Sequence, residues 1–196
     1  MSQTAFPDDL DANMSTHKMP KSRRGLSSVV LRDLVVRSDG GLSIIGEKAF
    51  TVSKGSNGPV FIHFHEILVF NTNPNGSLAW YNLIPKRQVD DSDAMSSYQM
   101  IVNRNHLHFM FNDHVENIHA NPSGAHHLVD FQADRPHYTR LVSIDGAGNM
   151  RGEALRDGKD TSLSLIPSLS AQTNRHEAFI YARGRDHLQF GRLTFL

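Results

Sequence analysis

The chain has 196 residues and carries 20 basic and 20 acidic side chains, so its formal net charge is zero. This balance argues against a nucleic-acid-binding protein and against adhesion to an anionic membrane surface. Hydrophobic residues make up 39% of the sequence and cysteine is absent, which indicates a globular chain without disulfides or thiolate metal sites. The longest apolar runs, such as residues 67–70, are far shorter than the ~20 residues of a membrane-spanning helix.

The first 26 residues are polar and are predicted to form a disordered N-terminal segment ahead of one domain over residues 27–196. A basic cluster lies at residues 18–24. No apolar stretch follows this cluster, so the segment is not predicted to be a secretory signal peptide. The sequence does not indicate a cellular compartment.

Strands separated by turn sequences are predicted throughout the first part of the domain. Strands 29–38 and 41–53 flank Ser-Asp-Gly-Gly, which is typical of a hairpin turn. A third strand is predicted at 61–70, and Asn-Pro-Asn-Gly then leads into a fourth at 78–84. We interpret residues 29–88 as one antiparallel four-stranded unit.

The same order of strands and turns recurs in residues 96–155. A third unit begins near Leu165 and ends with the chain at residue 196. The strands predicted in these two units lie at 98–102, 106–113, 138–144, 149–155, 177–181 and 187–196.

A four-stranded unit repeating at ~65–70 residues is typical of a propeller blade. The sequence therefore predicts an all-β fold of antiparallel, blade-like repeats that form a partial or incomplete β-propeller. The alternative is a sandwich of about ten strands whose units are similar by chance. Closed propellers have about four to eight blades, so three alternatives stay open: part of a longer propeller, a pair with a second copy, or an open stack of sheets. The exposed blade faces of an open stack would favour self-association.

Three segments carry a resemblance: "GSLAWYNLIPKRQ" (76–88), "DSDAMSSYQM" (91–100) and "LHFMFND" (107–113). Together they resemble a family of bacterial β-propeller-like repeat proteins of uncharacterised activity. The resemblance extends over about residues 31–196 and implies a propeller fold, but no activity. Members of that family are often longer and exported. The positions that carry the resemblance are Pro85, Lys86, Gln88, Ser97, Tyr98, Asn112 and Asp113.

The only tryptophan lies in the strand 78–84, and a large indole suits the space between stacked sheets. Pro85 favours a strand end because it cannot donate to a β-ladder. Two interpretations of the following Lys86, Arg87 and Gln88 stay open: a solvated rim or an anion-binding corner where two blades meet. The binding residues predicted at this stage are Glu47, Lys86, Gln88, Tyr98, Asn112 and Asp113.

Glu47 and Asp113 are predicted to end equivalent strands in successive units. Such a pair of carboxylates could act as acid and base or bind a cation, although acids at strand ends more often cap turns or pair with Lys and Arg. The weak metal candidates are histidines spaced two apart on strands, so that each pair shares one face: His63 with His65 and His106 with His108.

The motifs of serine hydrolases, P-loop proteins, zincins and dinucleotide-binding enzymes are missing from the sequence. The sequence therefore favours a non-catalytic binding or scaffolding module, with no cofactor predicted and no ligand identified. The alternative is a metal-dependent or carboxylate-based hydrolase that uses the histidines and acids named above.

Overall fold

The computed structural model describes residues 5–14, 24–91, 94–120, 128–155, 163–184 and 186–195. Three antiparallel sheets occupy residues 29–90, 99–154 and 164–194, the same parts of the chain as the three predicted units. The fold is all-β. None of the helices among the described residues is long and apolar enough to cross a membrane.

The first sheet is a meander in the order β1-β2-β3-β4. Its third strand is long enough to pair along one side with β2 and along the other with both β4 and a short fifth strand, β5. The strands are β1 Val29–Val36, β2 Leu42–Ser53, β3 Val60–Thr72, β4 Leu78–Ile84 and β5 Gln88–Asp90.

The second sheet repeats this meander in the order β6-β7-β8-β9. Its strands are β6 Gln99–Asn103, β7 His106–His114, β8 His137–Ile144 and β9 Met150–Ala154. The third sheet is built around β12, which pairs with β13 on one side and with β10 and β11 on the other. Its strands are β10 Ser164–Leu165, β11 Ala171–Asn174, β12 Glu177–Arg183 and β13 Leu188–Thr194.

The two central strands of the second sheet, β7 and β8, are largely buried on both faces. Alternate residues of a strand point to opposite sides, so each face of β7 packs against a different sheet. On β7, Phe109 and Phe111 pack with Ile45 and Ile67 of the first sheet. Met110, between them, packs with Leu165 and its neighbours in the third sheet. Burying an aromatic or aliphatic side chain contributes about 1.5–3 kcal/mol, so these two layers of apolar side chains hold the three sheets as a stack.

Trp80 lies where the sequence predicts it, between two layers. Its half-buried indole packs against the cluster shared by the first two sheets. The indole Nε1 donates a hydrogen bond to the Gly146 carbonyl at 3.1 Å. Gly148, whose φ is +88°, lies against the ring so closely that a Cβ there would be 2.9 Å from Cδ2.

Part of the segment predicted to be disordered is instead folded. Residues 10–13 form a helical turn, and Leu10 and Met14 are buried against Leu68 on the outer face of the first sheet. The Tyr81 hydroxyl donates to Asp9 at 2.7 Å. These apolar contacts account for the order in residues 5–14, whereas residues 1–4 and 15–23 lie outside the described part of the chain.

Candidate functional site

The chain turns into the interior after β4. Pro85 follows the last residue of that strand, and Lys86 and Gln88 are completely buried, while Arg87 is 3% exposed. The interpretation of these three residues as a solvated rim is therefore wrong. Each of the three side chains has polar partners inside the protein, which makes burial of the cations possible. Among the described residues, only the Arg87 Nε of these side chains has no hydrogen-bond partner.

Glu47 is the main partner of Lys86. The Lys86 Nζ lies 2.8 Å from Glu47 Oε1 and donates to Gln88 Oε1 at 2.9 Å. The other Glu47 oxygen accepts from Ser97 Oγ at 2.7 Å and lies 2.9 Å from an Arg32 nitrogen. Burial lowers the pKa of Lys86, and the Glu47 carboxylate opposes that change.

The sequence predicts that Glu47 ends its strand, but in the structure it does not. Strand β2 continues to Ser53, and its pairing with β3 shifts register between Glu47 and Ala49. Such an irregularity re-aims a side chain, and here it accompanies a carboxylate that points into the interior.

Arg87 is neutralised separately. Its guanidinium lies 2.6 Å from Asp130 Oδ1 and donates to the Leu128 carbonyl at 3.3 Å. Both cations of the predicted anion-binding corner are thus buried against carboxylates of the protein itself.

Three side-chain amides join neighbouring sheets. Gln88 Nε2 donates to the Asn112 carbonyl at 2.9 Å, which links the first sheet to the second. Asn112 forms a pair of hydrogen bonds with the backbone of Leu165 in the third sheet: its Nδ2 donates to the carbonyl at 2.8 Å and its Oδ1 accepts from the amide at 2.9 Å. Gln172 forms an equivalent pair with the backbone of Val102, at 2.7 and 3.0 Å.

Asp113 belongs to a separate buried group. Its carboxylate accepts from Asn117 Nδ2 at 2.6 Å, from Arg140 at 3.2 Å and from the Tyr138 hydroxyl at 3.3 Å. Burial raises the pKa of Asp113, while the Asn117 hydrogen bond and the Arg140 charge act in the opposite direction. Asp113 and Glu47 therefore each hold their own cation, on different sheets.

Tyr98, the remaining predicted binding residue, is half-buried. Its hydroxyl donates to Asp33 Oδ2 at 3.0 Å and its ring packs edge-on against Phe109. Burial, together with the Asp33 and Glu47 carboxylates, raises the pKa of this phenol.

The two predicted histidine pairs lie on different sheets, His63 and His65 on β3 and His106 and His108 on β7. Within the described residues there is no group of three or more His, Asp or Glu side chains placed to hold a metal ion. Burial lowers the pKa of His65 to about 2, and neither of its ring nitrogens has a hydrogen-bond partner. Burial also lowers the pKa of His108 to about 4, and its Nδ1 lies 2.7 Å from Ser143 Oγ.

A different site lies at the turn end of the stack. A cleft of about 720 Å³ is formed by turns and strand ends from all three sheets, and we call it the turn cleft. Its polar rim contains Arg37, Arg104, His106, Asp145, Arg175 and His176. Its apolar wall contains Val35, Trp80, Val102 and Leu107.

The three arginines occupy corresponding positions. Arg37 follows β1 in the hairpin to β2, Arg104 lies between β6 and β7, and Arg175 lies between β11 and β12. Each sheet therefore contributes one guanidinium from the hairpin that joins its first two meander strands. Arg104 has a φ of 52°, a left-handed conformation that is typical of a tight turn.

This cleft was not predicted from the sequence, although the sequence carries a signal for it. The turns read Asn-Arg-Asn-His at 103–106 and Asn-Arg-His at 174–176. The first was predicted only as a connection between strands and the second was not predicted as a turn, because turn residues are chosen first for backbone geometry. The recurrence of arginine at equivalent hairpins is the pattern that could have indicated a shared surface.

No protein-family model matches the chain. No curated protein matches it either. The function is therefore inferred from the geometry described above.

Proposed function

We propose that the chain is a non-catalytic binding module of blade-repeat type that holds a small ligand in the turn cleft. The observation that carries this proposal is the convergence of one arginine from each of the three sheets on a single cleft of about 720 Å³. A volume of this size is typical of small-molecule sites, which cover roughly 300–1,000 Å³. The buried amide pair of Asn112 and the partly buried pair of Gln172 hold adjacent sheets together and so fix the walls of the cleft before a ligand arrives.

The relationship to a β-propeller is part of the same proposal. Support comes from two successive four-stranded meanders that stack face to face with a third sheet, as blades do. The resemblance to bacterial β-propeller-like repeat proteins agrees with this arrangement. The same arrangement is also compatible with the alternative that the chain is the C-terminal part of a longer propeller.

Binding is favoured over hydrolysis because of where the acids lie. Glu47 and Asp113, the carboxylates on which a hydrolase mechanism would rely, are buried and paired with cations. The carboxylate at the turn cleft, Asp145, accepts hydrogen bonds from Ala147 and Asn149 within its own turn.

We also propose that two copies associate through β13. This strand has a partner on one side only among the described residues, and its pairing with β12 runs without a register shift. Phe190 is 76% exposed and stacks on Phe179 at 5.7 Å between ring centroids. An unprotected edge with exposed aromatic rings favours pairing with the same strand of a second copy. Light scattering at several concentrations tests this, since a strictly monomeric mass at all of them would rule the association out.

The binding proposal is tested with the fluorescence of Trp80, the only tryptophan in the chain and part of the cleft wall. A panel of citrate, glucuronate, maltose and spermidine samples anionic, neutral and cationic organic ligands. We expect at least one of them to change the Trp80 emission saturably and to raise the thermal midpoint. If none changes either signal at millimolar concentration, the turn cleft is not a ligand site.

A further inference from the structure

We infer that the ligand of the turn cleft is an organic oligo-anion, a small molecule that carries two or more carboxylate or phosphate groups on a body with an apolar face. This inference rests on the proposed function and specifies its ligand class. Among the described residues that line the cleft are three arginines and two histidines but one carboxylate, that of Asp145. This local excess of cations contrasts with the zero net charge of the whole chain.

The arginines fall into two kinds. Arg37 donates to Asn71 Oδ1 and to Asp39 Oδ2, and Asn71 in turn donates to Ser43 Oγ at 3.0 Å. Its guanidinium is therefore held in one orientation and partly neutralised by Asp39. Arg37 shapes the cleft more than it attracts an anion.

Arg104 and Arg175 have no hydrogen-bond or ion-pair partner among the residues that the structure describes. A guanidinium presents five donors in a fixed fork that matches the geometry of a carboxylate or phosphate. Because these two side chains belong to different sheets, they approach a bound molecule from different hairpins. One anionic group for each arginine accounts for the proposed multiple charge.

The wall accounts for the organic body. Trp80, Val102 and Leu107 place apolar side chains in the same cleft as the cations. The hydrogen bond from Trp80 Nε1 to the Gly146 carbonyl and the contact of the ring with Gly148 fix the indole in place. An inorganic ion would leave this wall exposed to water. A flat or apolar body would cover the wall, and the burial of apolar surface would add to the free energy of binding.

The test compares probes of matched shape by calorimetry, with Trp80 emission as a second signal. The probes are benzene-1,3,5-tricarboxylate, its neutral triamide, inositol 1,3,5-trisphosphate and inorganic pyrophosphate. We expect the tricarboxylate, the trisphosphate or both to bind, and the tighter of them assigns carboxylate or phosphate as the preferred group. We expect the triamide and pyrophosphate to bind about tenfold more weakly or not at all.

Variants assign the binding to the arginines. Arg104→Gln and Arg175→Gln should each weaken binding of the tighter of these two probes about tenfold, while the thermal midpoint without ligand stays unchanged. Arg192→Gln is the matched control, because Arg192 is 72% exposed on β13 and is not part of the cleft. It should bind the same probe like the parent protein.

Four outcomes would overturn the inference. If the triamide binds as tightly as the tricarboxylate, the cleft selects shape rather than charge, and the proposed function stands with a neutral ligand. If pyrophosphate binds as tightly as the tricarboxylate and the trisphosphate, the apolar wall has no role. If neither the tricarboxylate nor the trisphosphate binds while maltose or spermidine does, the ligand class is wrong and the binding module remains. If no probe binds, both proposals are rejected.

Discussion

The Lys86 ammonium lies 2.8 Å from the Glu47 carboxylate, and both side chains are completely buried. The pair joins the segment between β4 and β5 to the register shift in β2. Water does not reach either charge there. Buried pairs of this kind contribute little net stability when intact, yet they are costly to break because one charge is left uncompensated.

We therefore expect Glu47→Gln to lower the free energy of unfolding by about 3–5 kcal/mol, measured by urea denaturation. The double variant that combines it with Lys86→Met should recover at least about 1 kcal/mol, since no buried ammonium remains. Glu177→Gln is the control: its partner Arg192 is exposed, and the expected loss is at most about 1 kcal/mol. Equal losses of unfolding free energy for Glu47→Gln and Glu177→Gln would contradict the proposed cost of breaking the buried pair.

Asn112→Ala should destabilise the junction between the second and third sheets. The substitution leaves the backbone amide and carbonyl of Leu165 without their partners in a buried position. Each unsatisfied buried group costs about 1–3 kcal/mol, so the expected loss is about 2–4 kcal/mol.

Gln172→Ala is the matched control for this prediction. Gln172 makes the same kind of amide pair with Val102, but it lies nearer the surface, where water can replace it. Its expected cost in the same denaturation experiment is about 1 kcal/mol. A Gln172→Ala loss equal to that of Asn112→Ala would show that burial of the pair is unimportant.

His65 should make the protein sensitive to acid. Its pKa is about 2 in the folded state, because of burial, against 6.5 in the unfolded chain. The unfolded state therefore binds the extra proton first, and stability falls as the pH drops from about 6.5 towards 2. From neutral pH to about pH 5 this effect amounts to about 2 kcal/mol.

His65→Leu should remove this part of the pH dependence, as followed by thermal unfolding between about pH 7 and pH 5. His119→Gln, which changes an exposed histidine, should leave the slope unchanged. If the slope of the His65→Leu variant is the same as that of the parent protein, the source of the acid sensitivity lies elsewhere, with His108 as the next candidate.

Gly148→Ala should disturb Trp80. The new Cβ would lie 2.9 Å from Cδ2 of the indole, and the backbone has a positive φ of 88°. Gly55→Ala is matched in backbone, with a φ of 84°, but has no atoms within 4 Å of its added Cβ.

We expect Gly55→Ala to lower the free energy of unfolding by about 1 kcal/mol, from its backbone alone. Gly148→Ala should lower it by about 2–3 kcal/mol and should also shift the Trp80 emission, which Gly55→Ala should leave unchanged. Equal stability losses and an unchanged emission spectrum would mean that the indole moves away without cost.

The long strands could be predicted from sequence because pattern and turn chemistry agree there. Strand β4 spans 78–84 as expected, since Asn-Pro-Asn-Gly precedes it and Pro85 follows it. The short pieces could not be predicted. Strand β5 has three residues and forms only because β3 extends past β4 and leaves part of its edge free for pairing.

The residues after Pro85 were interpreted as a solvated rim or an anion-binding corner, whereas the structure buries them. A run of Lys, Arg and Gln resembles a surface segment unless its partners are known, and those partners lie far along the chain, Glu47 before it and Asp130 after it. The N-terminal helical turn was missed for the same reason, because its order depends on the distant Leu68. The turn cleft, by contrast, was open to prediction from its recurring arginines.

The two hydrogen bonds that the Asn112 side chain makes with Leu165 involve only main-chain atoms of Leu165. Every amino acid except proline offers that same amide and carbonyl, so the joint sets almost no condition on which side chain stands at position 165 beyond its fit to the apolar layer. The third sheet could therefore accumulate side-chain substitutions along this joint and still keep both of its hydrogen bonds to β7.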